Sequence, residues 1–309
     1  MQDHASTSFP AVVTANGTRD LASWIGANKA AVDETLKAAG AVLFRGFDVP
    51  GHDDFDAVVG SYGDENFPYA ESLSNAVRVN LTPRVFTANE APPETAIFLH
   101  HEMAQTPIYP SKLFFYCAIA PDGGGATPVC RSDWLLERLE AEVPGVVAKF
   151  ETLGVRYTNV MPAENDAGSG QGRSWKSTLS VETREAAEAR LKELGYDWAW
   201  LEDGSLRATS PRLDAIRTLP DGRRVFFNQL IAAWRGWKDR RNNPSKSVMF
   251  GDGSPIEDAH MDAAVRISDE ISADVAWQQG DVVLVDNFLV MHGRRPFQGK
   301  RRVLASLIK

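Results

Sequence analysis

The sequence has only two cysteines among its 309 residues, Cys117 and Cys130, and they lack the Cys-x-x-Cys spacing of many metal and redox sites. Two thiols cannot form a disulfide framework, which excludes a small secreted scaffold held by disulfides. No stretch approaches the roughly 18 consecutive apolar residues of a membrane span, and the N-terminus lacks a charged and then apolar leader. We therefore expect a cytoplasmic protein that does not bind a membrane.

The sequence also lacks an excess of basic residues, because 33 Lys and Arg stand against 41 Asp and Glu for a net charge of −8. This balance disfavours nucleic acid as a partner, since proteins that bind it usually carry a basic stripe. The one basic run, residues 238–241, is short and interrupted by an acid, and we interpret it as a solvated loop. Docking of an acidic carrier protein on this run and formation of a homo-oligomer both stay open.

A glycine-rich phosphate loop and a regular β-α-β alternation are absent as well, which excludes a nucleotide-binding sheet. Hydrophobic periodicity instead predicts helices over about 20–39, from about 53, 133–152, 181–194 and 257–271. The clearest predicted strands are 41–44, 97–99, 113–117, 225–227, 281–285 and 302–308. Strands on both sides of a helical stretch, without a linker, predict one α+β domain over 1–309, with a helical and loop insertion at about 131–220 in a sandwich-like β core.

Histidines followed two places later by an acid are the first candidates for a metal site. Acidic residues occupy 41 of 309 positions, about 13%, so six histidines should give nearly one such pair by chance, and three occur. His52 and Asp54 lie where a turn becomes a helix, so Asp54 is interpreted as a capping residue. His260 and Asp262 lie inside a predicted helix, where side chains two places apart point about 200° apart. Neither pair is expected to share an ion.

The third pair, His100 and Glu102, directly follows the apolar run 97–99 in an extended segment. Residues two apart on a strand share a face, so both side chains can reach one ion while His101 points to the opposite side. His292, which follows the predicted strand 281–285 and an apolar turn, supplies a third ligand. Two imidazoles and one carboxylate leave open positions on an octahedral ion, which suits iron(II) oxygen chemistry, although zinc hydrolases use similar ligands.

These residues carry a resemblance to the TauD/TfdA-like iron(II)/2-oxoglutarate-dependent dioxygenases. In that family a His-x-Asp/Glu motif is followed, after 24 residues, by a threonine, and a distal histidine comes much later. Here residues 103–126 separate Glu102 from Thr127, and neither of the other two pairs is followed by a threonine at this distance. The resemblance covers the chain from about residue 40 to the end. It implies a double-stranded β-helix (jelly-roll) core with flanking helices.

The resemblance also implies the cofactors, which are Fe(II) and 2-oxoglutarate, with O2 as co-substrate. His100, Glu102 and His292 would bind the metal, and Thr127 and an arginine would bind the far carboxylate of 2-oxoglutarate. Arginine suits this task because its guanidinium binds a carboxylate through two hydrogen bonds. The family places this arginine eleven to fourteen residues after the distal histidine, whereas Arg301 and Arg302 lie nine and ten residues after His292. We favour Arg302 because it opens the final strand, and Arg301 stays an alternative.

Within the family, the segments 99–103 and 291–297 most resemble the SyrP-like branch, whose members oxidise free or carrier-bound amino acids in natural-product pathways. The resemblance thus implies hydroxylation of an unactivated carbon in a small amino-acid-like substrate. The candidate substrate contacts lie beside the Gly-rich segment 160–174 and after a predicted strand: Arg173, Ser174, Trp175 and Asn228.

Other functions use parts of the same pattern. A zinc-dependent hydrolase could use the same three ligands without needing Thr127 or the arginine. A non-catalytic metal-binding β-barrel would need no open metal positions. A desaturase or epoxidase would share every predicted site residue. Halogenation is disfavoured by Glu102, because related halogenases have a small residue at this position so that chloride can bind.

Overall fold

Two facing β-sheets with helices around them form the centre of the computed structural model, which describes residues 8–74, 76–88, 91–166, 169, 171–238, 241–243 and 247–309. The helices are α1 (Leu21–Ala39), α2 (His52–Tyr62), α3 (Ser132–Glu142), α4 (Val146–Leu153), α5 (Trp175–Leu179), α6 (Arg184–Glu193), α7 (Leu230–Gly236) and α8 (Asp258–Ile271). The strands are β1 (Ala11–Thr14), β2 (Ala41–Arg45), β3 (Phe86–Thr87), β4 (Ile97–His100), β5 (Lys112–Ile119), β6 (Gly123–Gly124), β7 (Thr127–Arg131), β8 (Val155–Met161), β9 (Asp197–Trp200), β10 (Leu206–Thr209), β11 (Arg217–Thr218), β12 (Arg224–Val225), β13 (Val248–Phe250), β14 (Ala273–Val275), β15 (Val282–Asp286), β16 (Val290–Arg294), β17 (Phe297–Gln298) and β18 (Arg302–Ile308). In the part of the chain that these ranges cover, no helix is both long and apolar enough to cross a membrane.

The larger central sheet has six strands in the order β1-β2-β15-β5-β18-β3, and the sheet opposite has four in the order β14-β7-β16-β4. Neighbouring strands are antiparallel except for β1 and β2, which pair in parallel. Strands distant in the sequence are neighbours in both sheets, and the apolar side chains between the sheets form one core cluster. The predicted jelly-roll core with flanking helices is confirmed.

Strand β15 shows why the strands of the larger sheet are almost continuously apolar. Val283 and Val285 point into the core between the two sheets, whereas Val282 and Leu284 point to the opposite face. That opposite face is covered by the apolar side chains of α1 and α2. Because successive strand residues point to opposite sides, a strand covered on both faces needs apolar residues throughout.

Helix α1 matches the predicted extent of about 20–39. The Asp20 side chain accepts a hydrogen bond from the Ser23 amide at 3.1 Å and so caps the N-terminus. Gly40 ends the helix with a φ of 85°, a left-handed conformation that favours glycine. By contrast, the single helix predicted over 133–152 is wrong. It is two helices, α3 and α4, because Pro144 and the left-handed Gly145 break the chain between them.

The prediction of a helical and loop insertion at about 131–220 left out the strands of this region. Besides helices, it contains β8, β9 and β10, which form a third sheet with β13 in the order β13-β8-β10-β9. Tyr157, Asn159 and Met161 alternate along β8 and are all buried. This sheet therefore has a buried face, which packs toward α5 and α6 beside the functional site.

Candidate metal and cosubstrate site

His100 and His292 are brought together by strand pairing across almost two hundred residues. His100 is the last residue of β4 and lies opposite His292 in the antiparallel pairing of β4 with β16. The centroids of the two imidazole rings are 4.4 Å apart. His292 was predicted to follow a turn, but it lies inside a strand. The tertiary pairing thus supplies the proximity that the sequence could only suggest.

Glu102 does not lie on the strand, contrary to the prediction that His100 and Glu102 share a strand face. The strand ends at His100, and Glu102 lies in the turn that follows, in which Met103 has a φ of 58°. The Asn287 side chain stabilises this turn through two hydrogen bonds. The Glu102 amide donates to Asn287 Oδ1 at 2.7 Å, and Asn287 Nδ2 donates to the Glu102 carbonyl at 3.0 Å. Asn287 Nδ2 also lies 2.8 Å from the carbonyl of Pro110. Sequence reasoning missed Asn287 as a positioning residue.

Replacing Asn287 with alanine is expected to lower the free energy of unfolding by about 2–4 kcal/mol, because the fully buried Asn287 makes three hydrogen bonds to the backbone. The same change should weaken metal binding, since the Glu102 turn loses its support. Urea unfolding and metal titration measure the two effects. Replacing the exposed Asp274 on β14 with alanine serves as a control, and an equal loss in both variants would contradict the assigned role.

The two imidazoles and the carboxylate converge on one point. Glu102 Oε2 lies 3.7 Å from His100 Nε2 and 3.5 Å from His292 Nε2. One ligand atom from each of the three residues lies within 4.8 Å of the others. Neighbouring ligands of an octahedral ion with bonds of about 2.1 Å lie about 3.0 Å apart, so a small inward movement would seat a divalent ion. The residues present fit a metal.

The electrostatics of the cluster fit a metal as well. Burial lowers the pKa of His292 to about 4, so its imidazole is neutral and can act as a ligand at neutral pH. Burial works against the Glu102 carboxylate, but the neighbouring His100, His292 and Arg78 hold its pKa well below the ordinary value. His100 Nδ1 lies 2.8 Å from the carbonyl of Phe98, which places the proton on Nδ1 and leaves the Nε2 lone pair for an ion.

Among the residues that the structure describes, the other histidines, His52, His101 and His260, lie where the sequence predicted. The His101 ring points away from the cluster, with Nδ1 at 2.5 Å from the carbonyl of Asn287. His52 begins α2 and His260 lies within α8, and neither belongs to the metal cluster. Asp54 lies in the first turn of α2, but it is not the cap, because Gly51 takes that position without a side-chain hydrogen bond.

Beside the cluster, a small cavity is lined by polar and apolar side chains from both central sheets. Its lining includes His100, His292, Phe115, Thr127, Arg301 and Val303. Arg301 donates through Nε to the carbonyl of Gly125 at 2.9 Å and through a terminal nitrogen to Thr127 Oγ1 at 3.3 Å. Burial lowers the pKa of Arg301 to about 10, and among the residues described no carboxylate lies within ion-pair distance of it. A half-buried guanidinium of this kind is suited to an anionic ligand.

The position of Arg302 contradicts the preference for it over Arg301. Arg302 is exposed and does not line the cavity, whereas Arg301 does. The alternation along β18 could have shown which arginine points inward. Val303 and Leu307 face the core between the sheets, while Leu304 faces the helices. Odd-numbered residues therefore point inward, and Arg301 continues that series.

A second and larger cavity, of about 310 Å³, opens on the other side of His100 and Glu102. We call it the substrate cavity. Its polar lining includes Arg78, Gln105, Gln171, Gln229 and Lys238, and its apolar lining includes Ile97, Phe98 and Trp237. A terminal nitrogen of Arg78 lies 4.0 Å from Glu102 Oε1. Sequence reasoning missed these residues, since most of them reach the cavity from loops without a recognisable motif.

The four predicted substrate contacts lie elsewhere, and none lines the substrate cavity. The Arg173 guanidinium is occupied by the backbone and hydroxyls of neighbouring serines, and the Ser174 side chain caps α5. Trp175 packs edge-on against Trp200, with ring centroids 5.1 Å apart. Asn228 donates to the carbonyl of Ala215 and accepts from the amide of Leu230. Arg173 and Ser174 line a separate cavity of about 570 Å³ that also includes Arg78. A role of these four residues in substrate binding stays a prediction.

The segments near the cavity mouth are described only in part. Of the basic run 238–241, Asp239 and Arg240 lie outside the described residues, as do residues 167, 168 and 170 of the Gly-rich segment 160–174. Lys238 lines the substrate cavity, and Arg241 forms an ion pair with Asp166 at 2.9 Å. This pair ties the basic run to the Gly-rich segment.

Comparison with known proteins agrees with the geometry of the site. Residues 5–307 match the model of the taurine catabolism dioxygenase TauD, TfdA family. A clavaminate synthase-like protein of Arabidopsis thaliana is 44% identical over 279 residues, covering 90% of this chain and 84% of that protein. The dapdiamide synthesis protein DdaC of Enterobacter agglomerans is 30% identical over 293 residues, with coverages of 90% and 84%.

Solved structures share the fold at lower identity. A taurine dioxygenase from Burkholderia xenovorans superposes with a TM-score of 0.56 at 15% identity, covering 98% of this chain and 86% of the other. AAD-2, in complex with Mn(II) and N-oxalylglycine, gives a TM-score of 0.56 at 14% identity, with coverages of 98% and 95%. The family match over nearly the whole length decides the class of enzyme and its cofactors, Fe(II) and 2-oxoglutarate. The chain belongs to the TauD/TfdA family of 2-oxoglutarate-dependent dioxygenases.

Proposed function

We propose that this dioxygenase hydroxylates an unactivated carbon of a small amino-acid-like substrate, free or carrier-bound, in natural-product biosynthesis. The composition of the substrate cavity carries the proposal. Arg78 and Lys238 contribute two cations, and Glu102 is the one carboxylate among the described lining residues. A metal ion would neutralise Glu102, so the cavity favours a substrate with a carboxylate. The names of the two relatives, clavaminate synthase-like and dapdiamide synthesis protein, support a substrate of this class.

The roles of the residues follow from their positions. Together, Fe(II), 2-oxoglutarate and O2 supply the oxidising power for attack on a C–H bond, with succinate and carbon dioxide as by-products. His100, Glu102 and His292 would bind the metal at the junction of the two cavities. In the smaller cavity, Arg301 and Thr127 would bind the far carboxylate of 2-oxoglutarate, and Phe115 and Val303 contribute an apolar part of the wall. The substrate cavity positions the target carbon beside the metal.

Trp277 orients the Thr127 hydroxyl for this task. Thr127 Oγ1 accepts hydrogen bonds from Trp277 Nε1 at 3.0 Å and from Arg301 at 3.3 Å. Both lone pairs of the oxygen are thereby engaged, so its own hydrogen is free to point into the cavity and donate to a carboxylate.

Replacing Trp277 with phenylalanine is expected to raise the KM for 2-oxoglutarate about two- to tenfold, because one hydrogen bond of about 0.5–1.5 kcal/mol is lost. The KM is measured from succinate release at varied 2-oxoglutarate concentration. Trp24, which packs against Phe44 on the far face of the larger sheet, provides the matched Trp24→Phe control. An unchanged KM in Trp277→Phe would remove Trp277 from the binding of the cosubstrate.

The alternatives differ in what they require. A zinc hydrolase would not require the hydrogen-bonded pair of Arg301 and Thr127. The family assignment also argues against a zinc hydrolase. A desaturase or epoxidase would use the same residues, so only product analysis separates these reactions from hydroxylation.

Anaerobic addition of Fe(II) and 2-oxoglutarate tests the proposal. A weak visible charge-transfer band should form in the wild type and be lost in His100→Ala. Failure of the wild type to form the band would overturn the assignment of the site. A panel of free and carrier-bound amino acids, scored by substrate-dependent succinate release and by the mass of the product, then tests the substrate class. Stimulation by none of the amino acids would reject it.

A further inference from the structure

A third cavity lies directly behind the substrate cavity, between the buried face of the third sheet and helices α5 and α6. We call it the rear chamber. Gln105 and Trp237 line both cavities and form the partition between them. Gln105 lies three residues after Glu102 in the same turn, so the partition stands next to the metal cluster. The rear chamber therefore adjoins the cavity in which a substrate would face the metal.

Three buried polar atoms line the rear chamber without a hydrogen-bond partner. They are Gln105 Oε1, Asn159 Oδ1 and Thr178 Oγ1. The three side chains are each at least nine-tenths buried, with exposed fractions of 7%, 9% and 4%. Such unsatisfied groups are costly and uncommon in native proteins, so three around one space mark a place for a polar occupant, either a ligand group or water.

Apart from the hydroxyl-bearing Thr106, Tyr157 and Tyr196, the rest of the rear chamber is mainly apolar, and it carries no Asp, Glu, Lys, Arg or His among its described lining residues. Its walls include Leu73, Met161, Leu179, Leu191 and Ala208. A charged group would lose its hydration there without gaining a counter-ion. The chamber therefore disfavours ions and favours an uncharged polar group.

The three unpaired atoms match the hydrogen-bonding groups of a primary carboxamide. Gln105 Oε1 and Asn159 Oδ1 are acceptors, and a carboxamide NH2 offers two donors. The Thr178 hydroxyl can donate to the carboxamide oxygen. With the Gln105 and Asn159 amides oriented as in the structure, a carboxylate would meet two acceptor oxygens, and an alkyl end would leave all three atoms unpaired. The space of about 30 Å³ exceeds what one water needs, and is small enough to limit the ligand to a compact head group.

We propose that the rear chamber is a specificity subsite for the far end of the substrate, and that it selects an uncharged, carboxamide-like group. This proposal rests on the proposed function, because it assumes that the substrate lies in the cavity beside the metal. Arg78 and Lys238 would bind the charged end of the substrate, and the rear chamber would bind its neutral end.

Binding of isosteric amino acids tests the proposal. L-asparagine, L-aspartate and L-leucine have side chains of nearly the same shape and differ in the terminal group, and L-glutamine with L-glutamate repeats the comparison at greater length. Dissociation constants are measured anaerobically by calorimetry, with the protein loaded with Fe(II) and 2-oxoglutarate. We expect at least one amide to bind about tenfold more tightly than its carboxylate or alkyl counterpart.

Isosteric variants of the chamber provide the second arm. In Asn159→Leu and Thr178→Val the preference for the amide should disappear, and both proteins should stay folded, because an unsatisfied polar group is replaced by an apolar one. Asn66→Leu is the matched control, since Asn66 Oδ1 is also buried without a partner but does not line the rear chamber. It should keep the preference.

The proposal is overturned if the amides show no advantage, if none of the five amino acids binds, or if Asn159→Leu and Thr178→Val keep the wild-type preference. The charge-transfer band separates this failure from failure of the proposed function. A band without an amide preference leaves the oxygenase assignment standing and removes the subsite. An amide preference without a band leaves the subsite standing and removes the oxygenase assignment of the site.

Discussion

Replacing His292 with alanine is expected to weaken Fe(II) binding by more than about 100-fold, the upper end of what loss of an outer-shell partner of a metal ligand costs. The reason is geometric, because His292 Nε2 and Glu102 Oε2 lie 3.5 Å apart and only one other imidazole shares the cluster. With two ligands left, the charge-transfer band and the release of succinate should both be lost. Titration of the apoprotein with Fe(II) in the presence of 2-oxoglutarate measures the effect.

His52→Ala is the matched control for this experiment. His52 also precedes an acid by two residues, but it begins α2 on the surface and has no part in the metal cluster. Its iron affinity should equal that of the wild type. Retention of the band in a folded His292→Ala protein, checked by circular dichroism, would show that the metal is bound elsewhere.

Replacing Arg301 with glutamine is expected to raise the KM for 2-oxoglutarate by at least about 30-fold. Loss of a buried charged partner costs about 2–5 kcal/mol, and 1.4 kcal/mol corresponds to tenfold. Arg301 is half-buried beside Thr127 without a carboxylate partner among the described residues, so an anionic cosubstrate is what would pair with it. The measurement is succinate release, or the intensity of the charge-transfer band, at increasing 2-oxoglutarate concentration.

Arg302→Gln provides a control one residue away with the same change of chemistry. Arg302 is exposed at the start of β18, so its KM should stay within about twofold of the wild type, as for most surface substitutions. A large rise in Arg302→Gln with no change in Arg301→Gln would restore the interpretation drawn from strand position. Equal effects in both variants would argue that general charge, rather than a specific contact, binds the cosubstrate.

Much of this protein could be predicted from local patterns. The ends of α1 follow from Asp20 and Gly40, because capping is a property of neighbouring residues. The choice of His100 and Glu102 over two similar pairs depends on a 24-residue interval to Thr127, which is also written in the chain. The buried cluster of these two residues with His292 agrees with that choice.

Interactions between distant segments explain what could not be predicted. The hydrogen bonds of Asn287 to Glu102 and of Trp277 to Thr127 join residues that are 185 and 150 positions apart. No local sequence pattern predicts such hydrogen bonds. For the same reason, the sequence did not show that the predicted substrate contacts lie outside the substrate cavity. Arg173 and Asn228 look like recognition residues in a loop, yet their polar groups are satisfied by nearby backbone.

The sequence by itself thus determined the family and the jelly-roll class and predicted the metal ligands, since motif spacing and apolar periodicity are encoded along the chain. Only the tertiary structure placed Arg301 rather than Arg302 in the small cavity and revealed the residues that line the substrate cavity and the rear chamber. The direction of a side chain and the space beside it depend on how β8, β16 and β18 pair and pack against segments far away in the sequence. That packing is a property of the folded chain as a whole.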